Sequence, residues 1–127
     1  MSDQPTNPIR EAIADAISQN DVILFMKGTP DAPACGFSMR TVQTLQALDA
    51  RFAAVDILPD PRIRQELSEI SQWPTIPQLF VRGELVGGCD IVTEMFESGE
   101  LAELLGVEDA EPAMAESAPL QIENRLS

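Results

Sequence analysis

The chain has no histidine and only two cysteines, Cys35 and Cys89, among its 127 residues. Without histidine, a Ser–His–Asp site, a Cys–His site and a histidine-ligated zinc site are all excluded. Two cysteines cannot build a disulfide framework, nor a complete four-cysteine metal site within one chain. Positive charge is scarce too: 8 Lys and Arg stand against 21 Asp and Glu, a net charge of −13. Phosphate backbones repel such a surface, which argues against nucleic-acid binding. No apolar run approaches the ~18 residues of a membrane span. Met1 to Arg10 is polar and carries Asp3, with neither the apolar core of a secretion signal nor the Arg-rich, acid-poor character of a transit peptide. The expected compartment is cytoplasmic. In a reducing cytosol a lone cysteine is either inert packing or a reactive thiol.

The hydrophobic fraction of 44% is enough to fold, and the length suits one domain rather than two. Asn7-Pro8 reads as an N-cap followed by proline at the first helical position, and Ile9, Ile13 and Ile17 with Ala12 and Ala16 form a stripe at helical spacing. A helix is expected over 8–19. Val22-Ile23-Leu24-Phe25-Met26 is a continuous apolar run, the pattern of a strand buried on both faces. Lys27 to Ala34 holds Gly28, Pro30 and Pro33 and reads as a loop. A second helix begins near Cys35, with Met39, Val42, Leu45 and Leu48 marking its buried face. A second strand is read over 52–58. Asp60-Pro61 starts another helix, with Ile63, Leu67 and Ile70 inward. Trp73 to Pro77 is extended. Leu79-Phe80-Val81 and Leu85-Val86-Gly87 flank a short glycine turn as a hairpin, and Gly88-Cys89-Asp90 leads into a helix carrying Ile91, Val92, Met95 and Phe96. A last helix holds Leu101, Leu104 and Leu105 and ends at Gly106.

This order, α-β-α-β-α-β-β-α-α, is α/β: one βαβ crossover gives a parallel pair, and the hairpin adds antiparallel strands. From residue 107 the periodicity stops, and Glu108, Asp109, Glu111, Glu116 and Glu123 face a single Arg125. A folded domain over 1–106 and a disordered acidic tail over 107–127 are expected.

Cys35 follows a loop and opens a helix, where free N–H groups and the helix dipole favour an anion. A thiolate there has a lowered pKa and serves as a nucleophile or metal ligand. Gly36 leaves the sulfur uncovered.

Four motifs now stand in order: Met26-Lys27-Gly28-Thr29-Pro30, Cys35-Gly36-Phe37-Ser38, Trp73-Pro74-Thr75-Ile76-Pro77-Gln78 and Gly87-Gly88-Cys89-Asp90. Together, over about residues 8–106, they resemble the monothiol glutaredoxins of the Cys-Gly-Phe-Ser type. The resemblance implies a thioredoxin-like fold, a central four-stranded mixed sheet flanked by helices, and glutathione as the bound cofactor. It assigns Lys27, the only lysine beside seven arginines, to the glycyl carboxylate of glutathione and to support of the thiolate. Arg64 is matched to the same carboxylate in preference to the nearby Arg62. Thr75-Ile76-Pro77 resembles the family's cis-proline loop, whose Ile76 N–H and C=O would pair with the cysteinyl part of glutathione like an added strand. Backbone N–H groups at Cys89 and Asp90 would hold the γ-glutamyl carboxylate at a helix N-terminus. The Asp90 side chain would cap that helix or accept the ligand ammonium. Cys89 is either a resolving thiol for Cys35 or, preferably, a buried contributor of backbone alone. Trp73 reads as packing beside the loop.

A dithiol enzyme of this fold carries cysteine where Ser38 stands, so fast disulfide reduction is not expected. A [2Fe–2S] cluster needs four thiolate-like ligands. Two Cys35 sulfurs and two glutathione sulfurs complete that set only in a homodimer. Three functions follow: an iron–sulfur cluster carrier serving apo iron–sulfur recipient proteins, which is favoured; a glutathione-dependent thiol reductase using Cys35; and an iron-status module with a BolA-like partner. Whether the protein is an enzyme stays open here.

Overall fold

In a computed structural model, residues 7–107 are described. The elements are α1 (Pro8–Gln19), β1 (Val22–Met26), β2 (Gly28–Thr29), β3 (Ala32–Pro33), α2 (Gly36–Ala47), β4 (Ala53–Asp56), α3 (Pro61–Ser71), β5 (Gln78–Val81), β6 (Glu84–Gly87), α4 (Cys89–Ser98) and α5 (Glu100–Leu105). The acidic tail read from the sequence lies, beyond Val107, outside the described residues. Among the described residues no helix is long and apolar enough to cross a membrane.

The sheet has the order β4-β1-β5-β6. β1 pairs parallel with β4 (Ile23 beside Ala53) and antiparallel with β5 (Leu24 beside Leu79), and β5 pairs antiparallel with β6. This is the expected four-stranded mixed sheet. Strand β1 is buried on both faces because side chains alternate across the pleat. Ile23 and Phe25 enter a core with Ile13, Ile17, Leu67 and Phe80, under α1 and α3. Leu24 and Met26 enter the other with Val42, Leu45, Leu79, Val92 and Leu101, under α2, α4 and α5. Phe25 and Phe80 meet edge to face with ring centroids 5.7 Å apart, a favoured aromatic geometry.

Local chemistry starts and stops these elements. Asn7 accepts the Arg10 N–H at 3.1 Å and Asp60 accepts the Arg62 N–H at 3.0 Å, each just before a proline at the first helical position. Arg10 joins α1 to α3 through Glu66 at 2.9 Å and through Glu69. Arg82 (φ 49°) and Gly83 (φ 87°) form the turn between β5 and β6, both with the positive φ of a type I′ hairpin.

Three expectations change. The Lys27–Ala34 segment contains a short antiparallel pair, Gly28 opposite Pro33 and Thr29 opposite Ala32. Thr29 Oγ1 accepts the Ala32 N–H at 3.2 Å, and the Ala34 N–H closes back on Lys27 O at 2.9 Å. The strand expected over 52–58 is confined to Ala53–Asp56, because Asp56 turns the chain by accepting the Leu58 N–H. Met39, expected in the core, is 46% exposed. The buried face of α2 instead runs through Ser38, Thr41, Val42, Thr44 and Leu45. Two threonines are tolerated there because each hydroxyl donates to a helix carbonyl, Thr41 to Phe37 O at 3.0 Å and Thr44 to Arg40 O at 2.9 Å.

Gly28 has φ +86°, and a Cβ there would stand 2.5 Å from Ala32 O. Gly36 has open space around its Cβ position. Gly28→Ala is therefore expected to lower the unfolding free energy by ~2–4 kcal/mol, from a left-handed backbone and a clash with main chain. Gly36→Ala is expected to change it by under ~1 kcal/mol, toward greater stability. Urea unfolding of the pair checks this; equal effects would remove the special role of Gly28.

Candidate functional site

The first strand delivers the chain to the site. Beyond Met26, the Lys27 N–H donates to Ser38 Oγ at 3.1 Å, and the Gly28 N–H donates to Asp56 Oδ1 at 2.9 Å. Ser38 is fully buried, so this bond fastens the end of β1 to the first turn of α2. Cys35 is the N-cap residue of that helix, in extended conformation, and makes no side-chain cap hydrogen bond. Its thiol is held below the usual value of 9.0. The chief cause is the Ser38 N–H, directed at the sulfur as the helix begins; partial burial opposes it. The Phe37 N–H, the Ser38 hydroxyl and the Lys27 ammonium add to the lowering. Because Ser38 Oγ accepts from Lys27, its own proton is free to donate to the thiolate. The surroundings are open: Phe37 and Met39, which follow the partly exposed Cys35 in the first turns of α2, are 59% and 46% exposed.

Beside the start of α2 lies a groove of about 210 Å³, lined among others by Phe37, Trp73, Ile76, Gly88, Cys89 and Asp90. The Ile76–Pro77 bond is cis, as read for this loop. Neither the N–H nor the C=O of Ile76 has a partner among the described residues. The loop is held from beneath by Gln78, fully buried, whose Nε2 donates to Trp73 O at 2.9 Å and Thr75 O at 3.0 Å. This clamp was missed in the sequence; its signal is a lone polar residue opening an otherwise apolar strand.

At the far wall α4 begins. Its N-cap is Gly88, which offers no side-chain cap, and the N–H groups of Cys89 and Asp90 have no partner among the described residues. Asp90 is exposed and does not cap the helix, leaving its carboxylate unengaged among the described residues. Cys89 is 6% exposed. Thus Ile76, Cys89 and Asp90 share one groove, and Cys35 joins it through Phe37, two residues along the same turn.

Neither Lys27 nor Arg64 lines this groove. Lys27 is partly exposed at the end of β1, close enough to act on the Cys35 sulfur. Arg64 stands with Nη2 3.5 Å from Pro74 O. Arg62 is occupied: it pairs with Asp60 at 2.8 Å, which lowers the Asp60 pKa and raises its own. That separates the two neighbouring arginines. A groove with unpaired N–H and C=O groups, an uncapped helix start and one free carboxylate, with one cation by the Cys35 sulfur and another by the Pro74 carbonyl, fits a small, doubly anionic peptide. Among the described residues no three His, Cys, Asp or Glu side chains gather in a way that could hold a metal ion.

The Glutaredoxin family model matches residues 22–86. The chain is 56% identical over 100 residues to the mitochondrial monothiol glutaredoxin-5 of Saccharomyces cerevisiae, covering 76% of this chain and 67% of that one. It is 56% identical over 95 residues to glutaredoxin 4 of Escherichia coli K12, covering 75% and 83%. The solution structure of a monomeric truncated mutant of Trypanosoma brucei 1-C-Grx1 superposes with a TM-score of 0.72 at 44% identity, over 80% of this chain and 96% of that one. With its thioredoxin-like sheet, its single exposed thiol and Ser38 three residues beyond it, this chain belongs to the glutaredoxin family, in the monothiol class.

Proposed function

We propose that this protein binds glutathione along the groove and carries a [2Fe–2S] cluster, shared between two copies, to apo iron–sulfur proteins. The observation that supports it best is the state of Cys35: a partly exposed thiol biased toward thiolate, with a buried serine where a second thiol would stand. In this reading Lys27 and Arg64 take the glycyl carboxylate of glutathione, and Ile76 N–H and C=O pair with its cysteinyl residue. The N–H groups of Cys89 and Asp90 take the γ-glutamyl carboxylate, and the Asp90 carboxylate takes the ammonium. Glutathione is then placed with its sulfur beside Cys35. One chain and its glutathione offer two thiolates, so a second chain and a second glutathione complete the four that a [2Fe–2S] cargo needs. Half of the ligands are exchangeable, which suits delivery. A BolA-like partner belongs to the same proposal, its histidine replacing one thiol ligand on the same open face. Two free thiols call for a reducing compartment, which fits the cytosol. The folded unit is taken as 1–106, with 107–127 as an appended tail.

The lowered thiol pKa also supports a second reading, glutathione-dependent reduction of mixed disulfides. The Cys35 thiolate would attack the glutathione sulfur of a glutathionylated protein, releasing that protein's thiolate. A second glutathione thiolate would then attack, freeing Cys35 and leaving glutathione disulfide.

Iron, sulfide and glutathione are expected to convert the apo protein to a dimer holding one cluster. Cys35→Ser abolishes this and any thiol transfer; Cys89→Ser retains it, since the backbone N–H is kept. Lys27→Glu weakens glutathione binding about tenfold or more by setting a carboxylate against a carboxylate. Gel filtration with iron analysis and visible absorbance checks the set. A reconstituted monomer holding the cluster sinks the shared-cargo reading, and rapid turnover without a cluster favours the reductase.

Alkylation of Cys35 by iodoacetamide is expected to rise with pH at a midpoint below 9.0. The lowered pKa contributes stability that is present above 9.0 and is lost as pH falls through the folded midpoint. Ser38→Ala removes the hydroxyl donor and raises that midpoint. It also strands the Lys27 N–H, lowering stability by ~1–3 kcal/mol. An unchanged alkylation midpoint in Ser38→Ala would show that the hydroxyl does not act on the sulfur.

A further inference from the structure

One donor on the groove wall has no use in the fold. Trp73 lines the groove with its ring partly exposed, yet its Nε1 is buried and has no hydrogen-bond partner. A buried N–H without an acceptor is costly, and a native structure that keeps one has usually reserved it for something absent from the free chain. Its surroundings say where the acceptor belongs. A Cβ placed on Gly88 would stand 3.3 Å from Trp73 Nε1, 3.3 Å from Pro77 O and 3.9 Å from Thr75 Oγ1. The indole edge therefore borders the notch left by the missing side chain of Gly88. Gly88 is also the N-cap of α4, so the same notch is bordered by the uncapped N–H groups of Cys89 and Asp90. Any side chain at position 88 would cover both the indole edge and the helix start.

We infer that Trp73 is a ligand-binding residue: its Nε1–H is a third donor, with the Cys89 and Asp90 N–H groups, to the carboxylate of an α-amino-acid head group seated on Gly88. The same head carries an ammonium, for which Pro77 O at the notch and the exposed Asp90 of the same groove offer acceptors. This rests on the glutathione reading above and specifies how its γ-glutamyl end is recognised. In the free protein water does not reach Nε1, so an entering carboxylate opens the notch slightly to meet it. The bond then forms without competition from solvent, which strengthens it. Gln78 makes the arrangement firm, since it grips the Trp73 and Thr75 carbonyls from below.

Trp73 is the only tryptophan, so one indole signal in a proton–nitrogen correlation spectrum reports on it. Titration of the full-length reduced protein with reduced glutathione is expected to move that signal downfield, together with the amides of Cys89 and Asp90 and with the calorimetric midpoint. Trp73→Phe is expected to bind glutathione about tenfold more weakly. It should bind an analogue lacking the γ-glutamyl α-carboxylate as the wild type does. A stationary indole signal while the Cys89 and Asp90 amides move would overturn the role of Trp73 and leave the glutathione reading intact. So would an equal loss on removing the carboxylate in wild type and Trp73→Phe. No heat and no shift anywhere would overturn both readings. The indole signal is measured on the wild type, so the inference is decided even if Trp73→Phe fails to fold.

Discussion

The bond from the Lys27 N–H to Ser38 Oγ joins the residue just past the central strand to the first turn of the helix that presents the thiol. Everything chemical about Cys35 depends on that junction. It sets where α2 begins, and therefore which N–H groups converge on the sulfur. It also turns Ser38 into an acceptor toward the strand and a donor toward the thiolate. The short β2–β3 pair spans the gap between the two ends, and Gly28 lets it close without a side chain against Ala32 O. A reactive sulfur on a mobile loop would have no fixed partners. Here it stands on a helix end backed by the core that Val42 and Leu45 of α2 share with Leu24 and Met26 of β1.

The groove obeys the same logic from the opposite side. The loop at Ile76, held from beneath by the buried amide of Gln78, and the side-chain-free cap at Gly88 leave the Ile76 N–H and C=O and the Cys89 and Asp90 N–H groups without partners among the described residues. Folded chains satisfy nearly all such groups internally. A cluster of unsatisfied N–H and C=O groups around one cavity is a template for a peptide ligand. The net charge of −13 makes the few cations beside it more telling, because Lys27 and Arg64 stand in a field that is otherwise hostile to an anion. Arg62, equally near in sequence, is withdrawn by its pairing with Asp60.

Much of the fold was legible in order and type. The continuous apolar run of β1, the Asn7-Pro8 and Asp60-Pro61 helix starts and the glycine turn at Gly83 carry local signals strong enough to read one by one. The misreadings were of a different kind. Met39 reads as inward because it is apolar, whereas the helix buries Ser38, which accepts from the Lys27 N–H, and Thr41 and Thr44, whose hydroxyls are satisfied within α2. The β2–β3 pair is too short, and too rich in proline, to show any alternation. What Gln78 grips is not written in its motif, because its partners are carbonyls whose position depends on the loop above it.

By itself, then, the sequence determined which chemistries were available: no histidine, a thiol opening a helix beside an uncovering glycine, a serine where a second thiol would serve, and an element order that closes into a four-stranded mixed sheet. Those are properties of residue type and short-range spacing, and they survive without coordinates. Only the tertiary structure decided which groups face one another. It brought the Ile76 loop and the start of α4 around one groove, set Arg64 beside the Pro74 carbonyl while Arg62 turned to Asp60, and left the Trp73 indole N–H without a partner at the notch of Gly88. Hydrogen-bond satisfaction depends on what lies opposite a group in space. For these residues that neighbour is set by sheet register and helix packing, which no local pattern records.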